Sequence, residues 1–284
     1  MSSEQKNIVD SWLRQASLEI MPNTQLTDEA LSKNIMPDQK IYITFMGNSH
    51  IKQVIDLAKR LQNIGAIPVA HIAARHLYSK QQLHEYVKAL QQAQVKHVLL
   101  LAGGPPQTAG PLSSSLELIE SGLFDDDTFE SVGFAAHPDG HPYADQASIQ
   151  KAMQQKINWA QQQSCSTYFI TQFVFESKPI LQWLESLDTT NMLPIDIGLP
   201  GITQTRTLLR FASIAGISWQ QVTSMILRHP WQWLRFLTQW SPKPIIEELA
   251  EYHQNNQHSP IAGLHFYTFG GFNKTAEWLK HNSN

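Results

Sequence analysis

The chain has 284 residues, 42% of them hydrophobic, and a formal net charge of −3. That supports one large α/β domain with a substantial core, and it gives no electrostatic footing for nucleic acid or an anionic membrane. One cysteine, Cys165, excludes an internal disulfide and a cysteine-rich zinc site.

The N-terminal stretch MSSEQKNIVDSWLRQ is polar and amphipathic, without the apolar centre of a signal peptide. No run reaches the roughly 18 apolar residues of a membrane span. The expectation is a cytoplasmic protein. The first strand-like run is 17–21 (SLEIM). It places Glu19 among apolar neighbours, where a carboxylate is costly unless paired, solvated or protonated. Protonated, it is a candidate general acid; by simple alternation it could equally face solvent.

A second strand is predicted over 41–46 (IYITFM), carrying Thr44, and a helix over 51–64. The third strand, 68–73 (PVAHIA), holds His71, either a hydrogen-bonded core histidine or a ligand-facing one. A helix follows over 80–94, with Ser79 as its N-cap. Strand four, 97–102 (HVLLLA), runs into Gly103, Gly104 and two prolines. Those glycines permit close approach of a ligand to the backbone, but no Gly-Lys-Ser/Thr follows, so this is not a P-loop. A helix is predicted over 114–123.

Strand five, 132–136 (VGFAA), ends in His137-Pro138-Asp139-Gly140-His141-Pro142. The histidine spacing matches that of metal ligands, yet the prolines argue against a helix, and no HExxH accompanies them. Pocket lining is the favoured reading. The helix predicted over 146–163 carries Lys156, whose default reading is a solvated surface lysine. Strand six, 168–175 (YFITQFVF), places Thr171 and Gln172 amid aromatics, with Phe173 and Phe175 facing away from Gln172. A buried Gln there either ties strands together or recognises the amide edge of a heterocycle.

Helices are expected over 179–187 and 205–215, around strand seven at 195–199 (IDIGL). The stretch 219–253 reads as two helices broken near Ser241-Pro242, and its aromatic part, 219–240, suits an oligomeric interface or core packing equally. Strand eight, 264–269 (LHFYTF), brings His265, Tyr267 and Thr268; a helix over 272–281 closes the chain. Eight alternating strands and helices predict a single (β/α)8 barrel over residues 1–284 rather than an open sheet. Most strands carry polar groups or glycines near their C-terminal ends, where barrels keep their chemistry.

Taken in order, SLEIMP, FAAHPDGHP, FITQFVFES and LHFYTF resemble segments of the flavin-dependent methylenetetrahydrofolate reductases, which read S-F-E-F-F-P, A-A-Y-P-E-x-H-P, I-T-Q-F-F-F-D and F-H-F-Y-T-L. Thr44 and His71 also match in place, so the likeness runs over residues 17–269. The resemblance implies a barrel binding FAD at its C-terminal face, with NADH or NADPH and a folate as small-molecule substrates. Hydride would pass from nicotinamide to flavin, then to 5,10-methylenetetrahydrofolate, giving 5-methyltetrahydrofolate. By position Glu19 would be the general acid, and Gln172 and Tyr267 would bind substrate. Thr44, His71, Ala102, Gly103, Gly104, His141 and Lys156 would meet the flavin, as would His137, which replaces a tyrosine.

One departure stands out. Where the family reads R-G-D-x-P after strand four, this chain reads Ala102-Gly103-Gly104-Pro105-Pro106. Ile149 and Ala152 also stand where polar residues would help. A flavin- or folate-binding protein without turnover is therefore the competing reading. A metal-dependent hydrolase built on His137, Asp139 and His141 is the third.

Overall fold

The computed structural model describes residues 1–46, 49–104, 110–141, 144–202 and 241–283. Eight strands form a closed barrel in chain order. They are β1 (Ser17–Ile20), β2 (Lys40–Ile43), β3 (Ile67–Ala73), β4 (His97–Leu101), β5 (Ser131–Ala136), β6 (Ser166–Thr171), β7 (Ile195–Pro200) and β8 (Ile261–Tyr267). Every pairing between neighbours is parallel, including β1 with β8. The expected (β/α)8 architecture is the one observed.

Among the described residues the helices are α1 (Ser3–Gln15), α2 (Asp28–Asn34), α3 (Ile51–Asn63), α4 (Lys80–Gln92), α5 (Ser115–Ile119), α6 (Gln146–Ala160), α7 (Ser177–Ser186), α8 (Lys243–Asn255) and α9 (Phe272–Asn282). Their starts follow local chemistry. Ser2 and Gln5 close a capping box on α1, and the Ser79 hydroxyl accepts from the Gln82 amide at the head of α4. Pro242 caps α8 and Pro244 sits in its first turn, which explains the predicted break. The helix expected over 114–123 is a single short turn, α5, because Gly122 takes a positive φ of 71° just beyond it. The helix predicted over 205–215 and the aromatic stretch 219–240 lie outside the described residues.

Strand alternation divides the core in two. Outward residues such as Ile41, Ile43, Val98, Leu100, Phe134, Phe169 and Phe266 are buried beneath the helices. Tyr42, Val69, Leu99, Tyr168 and Ile170 form a separate inner cluster, as a packed barrel interior requires. The hydroxyls of Tyr42 and Tyr168 lie 2.7 Å apart and satisfy each other. With both faces covered, the strands read as continuous apolar runs.

The strands end earlier than the sequence suggests. β2 stops at Ile43, β6 at Thr171 and β8 at Tyr267, so Thr44, Gln172 and Thr268 stand just past the strand ends. Ladder bonds continue briefly beyond, since the Thr44 amide donates to Ile20 and the Gln172 amide to Ala136. The apolar pattern outlasts the strands because these exits pack against the barrel rim.

Candidate active site

The first and last strands build the acid. Their register pairs Ser17 with His265. The Glu19 carboxylate then lies 3.6 Å from His265 Nε2, with side-chain exposures of 20% and 0% respectively. His265 Nδ1 lies 2.9 Å from Ser17 Oγ, and the Thr268 hydroxyl donates to the Glu19 carbonyl at 2.8 Å. Of the two readings left open by alternation, the inward one holds. The carboxylate has a buried imidazole behind it and partial access in front. His265 and Ser17 were not singled out for this role by the sequence. The available signal was the closure of strand eight on strand one, which only a barrel supplies.

His71 sits deeper, its ring 6.0 Å from that of Tyr42. Burial drives its pKa down to about 4, against an opposing pull from Glu19. It is thus neutral at pH 7, and its Nε2, like Thr44 Oγ1, is buried without a hydrogen-bond partner. Such orphan atoms cost roughly 1–3 kcal/mol each unless something satisfies them. Their placement fits a ligand with a polar edge.

The sign of the His71 shift yields an expected result. Between pH 6.5 and about 4 the unfolded chain binds a proton that the folded chain refuses. Stability present above pH 6.5 is lost as pH falls through that window, by about 3 kcal/mol for this group at one pKa unit per 1.36 kcal/mol. Denaturant unfolding from pH 7 to 4 should show a shallower loss in His71→Asn than in the parent; parallel curves would refute the assignment.

The β4 and β5 exits form the opposite wall. His137 is pushed down to about 3 by burial, then by His141 and Lys156. The two histidine rings meet edge to face at 4.7 Å. Burial also raises the Asp139 pKa, with Glu176 adding to it. Among the described residues no group of three His, Cys, Asp or Glu side chains is placed to hold a metal ion. Lys156 is not the surface lysine its default reading suggested. It is 7% exposed, its Nζ lies 3.4 Å from the Ala135 carbonyl and 5.6 Å from the Phe134 ring centre, and burial lowers its pKa to about 8. The helical spacing that buries Ile157 and Ala160 turns Lys156 inward with them.

Gly103 adopts φ +85°, and a Cβ there would meet His76 Cδ2 at 2.8 Å; at Gly104 a Cβ would meet nothing within 4 Å among the described residues. A side chain at 104 would meet no described neighbour. Ala102 is half-buried and accepts the Arg75 amide at 2.9 Å.

On the third side, the Gln172 side-chain Oε1 accepts from the Phe173 amide at 3.1 Å. Tyr267 donates its hydroxyl to the Thr171 carbonyl at 3.0 Å. Phe173 packs edge-on to Tyr267 at 5.5 Å and to Phe175 at 5.4 Å, and Phe269 lies near-parallel to Tyr267. Gln172 thus sits in an aromatic setting as expected, but on a loop; its strict alternation with Phe173 and Phe175 does not apply there.

Glu19 and His71 lie within β1 and β3, His137, His141 and Gln172 lie just past the ends of β5 and β6, and Lys156 turns inward from α6. The fold defines a (β/α)8 barrel protein. The chain belongs to the methylenetetrahydrofolate reductase family, whose sequence model matches residues 19–281. That family is generally flavin-dependent. A structure provisionally described as a phosphonomutase from Burkholderia cenocepacia J2315 is similar at TM-score 0.48 and 9% identity, with 98% of each chain covered.

Proposed function

We propose that the protein reduces 5,10-methylenetetrahydrofolate to 5-methyltetrahydrofolate, using FAD as cofactor and NADH or NADPH as electron donor. The observation that carries this reading is the Glu19 carboxylate, backed at 3.6 Å by a fully buried His265 yet partly open to the barrel mouth. FAD, when bound, supplies the two-electron relay between nicotinamide and folate.

The protein's residues do the rest. Glu19 delivers a proton to the folate ring nitrogen that departs as the five-membered ring opens to an iminium. His265, fixed through Ser17, stands 3.6 Å behind the carboxyl group. Gln172 offers both a donor and an acceptor to the pterin edge, and Tyr267 supplies an aromatic wall beside it. Thr44 and His71 offer their unsatisfied polar atoms to the flavin. His137 and His141 line the site as neutral rings, because burial lowers both pKa values. Lys156 is a cation below about pH 8 and fits an electron-rich edge of the cofactor. Microscopic reversibility lets the same residues serve the oxidative direction.

The competing reading, a binding protein without turnover, draws on Gly104 in the place of the family's acidic residue. A flavin spectrum, bleached by NADH or NADPH and restored by methylenetetrahydrofolate, is the expected result for the purified protein. Bleaching without restoration would favour the binder. Failure to take up FAD at all would sink both.

The proposed ligands are small molecules. Among the described residues no helix is long and apolar enough to cross a membrane. A homo-oligomer is compatible with this reading.

A further inference from the structure

His265 lies on β8 and is fully buried. Its two ring nitrogens face different partners. Nδ1 lies 2.9 Å from Ser17 Oγ, and Ser17 Oγ donates to the Leu264 carbonyl at 3.4 Å. A hydroxyl has one proton to give. Both bonds are made at once only if that proton goes to Leu264 and Ser17 accepts from Nδ1–H. The hydrogen-bond network therefore assigns the proton of the neutral ring to Nδ1. Nε2 is then a bare lone pair. It is buried, has no hydrogen-bond partner among the described residues, and faces a Glu19 carboxylate oxygen 3.6 Å away.

A bare nitrogen and an ionised carboxylate are both acceptors, and at that spacing they repel unless a proton lies between them. On the carboxyl group the proton gives O–H···Nε2; on the ring it gives an imidazolium beside a carboxylate. Either way the pair holds one proton as a unit. The other groups around the ring do not compete for it. The rings of Tyr42 and Tyr267 each lie 4.7 Å from the imidazole, edge to face. Burial raises the pKa of both phenols, so they stay neutral. His71 stays neutral because burial lowers its pKa to about 4. Asp196 on β7 pairs in register with Gly263. Burial raises its pKa, and Lys40 opposes that more strongly than His265 does.

We propose that Ser17 fixes His265 as the Nδ1–H tautomer, and that His265 in turn keeps a proton in its pair with Glu19, loading the acid for each turnover. The inference rests on the function proposed above and adds how the acid is kept supplied. Ser17 and His265 act through Glu19 and are positioning residues. Glu19 gives its proton to the departing nitrogen, which leaves the pair one proton short. A proton from solvent then refills the pair at the carboxyl group, whose side chain is 20% exposed.

Nitrogen NMR of the full-length, ligand-free protein, isotope-labelled at its histidine rings, reads the tautomer directly, with His265→Gln to identify the resonance. A ring protonated at Nδ1, alone or together with Nε2, is the expected result. A neutral ring protonated at Nε2 alone would overturn the proposal. If His265→Gln fails to fold, Ser17→Ala identifies the same ring by the change it causes there. The second measurement is reoxidation of the reduced flavin by methylenetetrahydrofolate across a pH series. Ser17→Ala should move the loss of rate at high pH downward by about one unit, a tenfold change in the protonated fraction. Ser17→Thr keeps the hydroxyl and should return the profile toward the parent, and melting curves check that both variants fold. A loss of equal size at every pH would overturn the proposal and leave Ser17 a packing role. A parent protein whose reduced flavin the folate does not reoxidise would refute the functional reading instead, and the NMR result would still decide the tautomer.

Discussion

Glu19→Gln should slow reoxidation of the reduced flavin by methylenetetrahydrofolate about 10³-fold, within the range for loss of a general acid. The amide matches the carboxyl group in size, so the pocket beside His265 stays filled. It cannot release a proton to a departing nitrogen. Reduction of the flavin by NADH or NADPH needs no proton from this position and should stay within about twofold of the parent, a bound that reflects loss of one step only. Stopped-flow absorbance separates the two half-reactions. Loss of both would mean that Glu19 shapes the flavin site rather than the folate chemistry. Survival of both would remove Glu19 from the mechanism.

Gly198→Ala is expected to cost about 2–3 kcal/mol of stability and to damage folate binding more than flavin reduction. A Cβ at this position would lie 2.3 Å from the Thr171 carbonyl oxygen and 2.7 Å from Tyr267 Cε2. The first of these is backbone and cannot swing aside. It is also the acceptor for the Tyr267 hydroxyl, while the Gly198 amide donates to the Thr171 hydroxyl at 2.8 Å. One methyl group therefore presses apart the exits of β6, β7 and β8, which carry Gln172 and Tyr267. Urea unfolding measures the first effect, and the KM for folate measures the second. An unfolding free energy within about 0.5 kcal/mol of the parent, the scatter of a neutral surface change, would show that the strands part without strain.

The barrel was legible because buried strands leave continuous apolar runs, and eight of them alternate with amphipathic segments. Strand ends were less so. The run YFITQFVF stays apolar past Thr171 because Phe173 and Phe175 pack at the rim, a tertiary reason invisible to periodicity. Single residues divided along the same line. Glu19 and Gln172 were conspicuous as polar groups in apolar settings. Lys156 was not, since its neighbours Gln154 and Gln155 look like a solvated face and only the docking of α6 turns it inward. His265 was visible as a histidine, but its partnership with Glu19 depends on a pairing between residues at opposite ends of the chain.

The bond from Thr268 to the Glu19 carbonyl spans 249 positions, and that from Ser17 to His265 spans 248. During synthesis Glu19 is therefore among the first site residues to leave the ribosome and the last to acquire its setting. Contacts so distant in sequence form late, because the loop they close is nearly the whole chain. A nascent or C-terminally clipped chain without β8 has nothing to place behind Glu19. On the proposed mechanism, proton delivery by Glu19 therefore depends on completion of the barrel by its final strand.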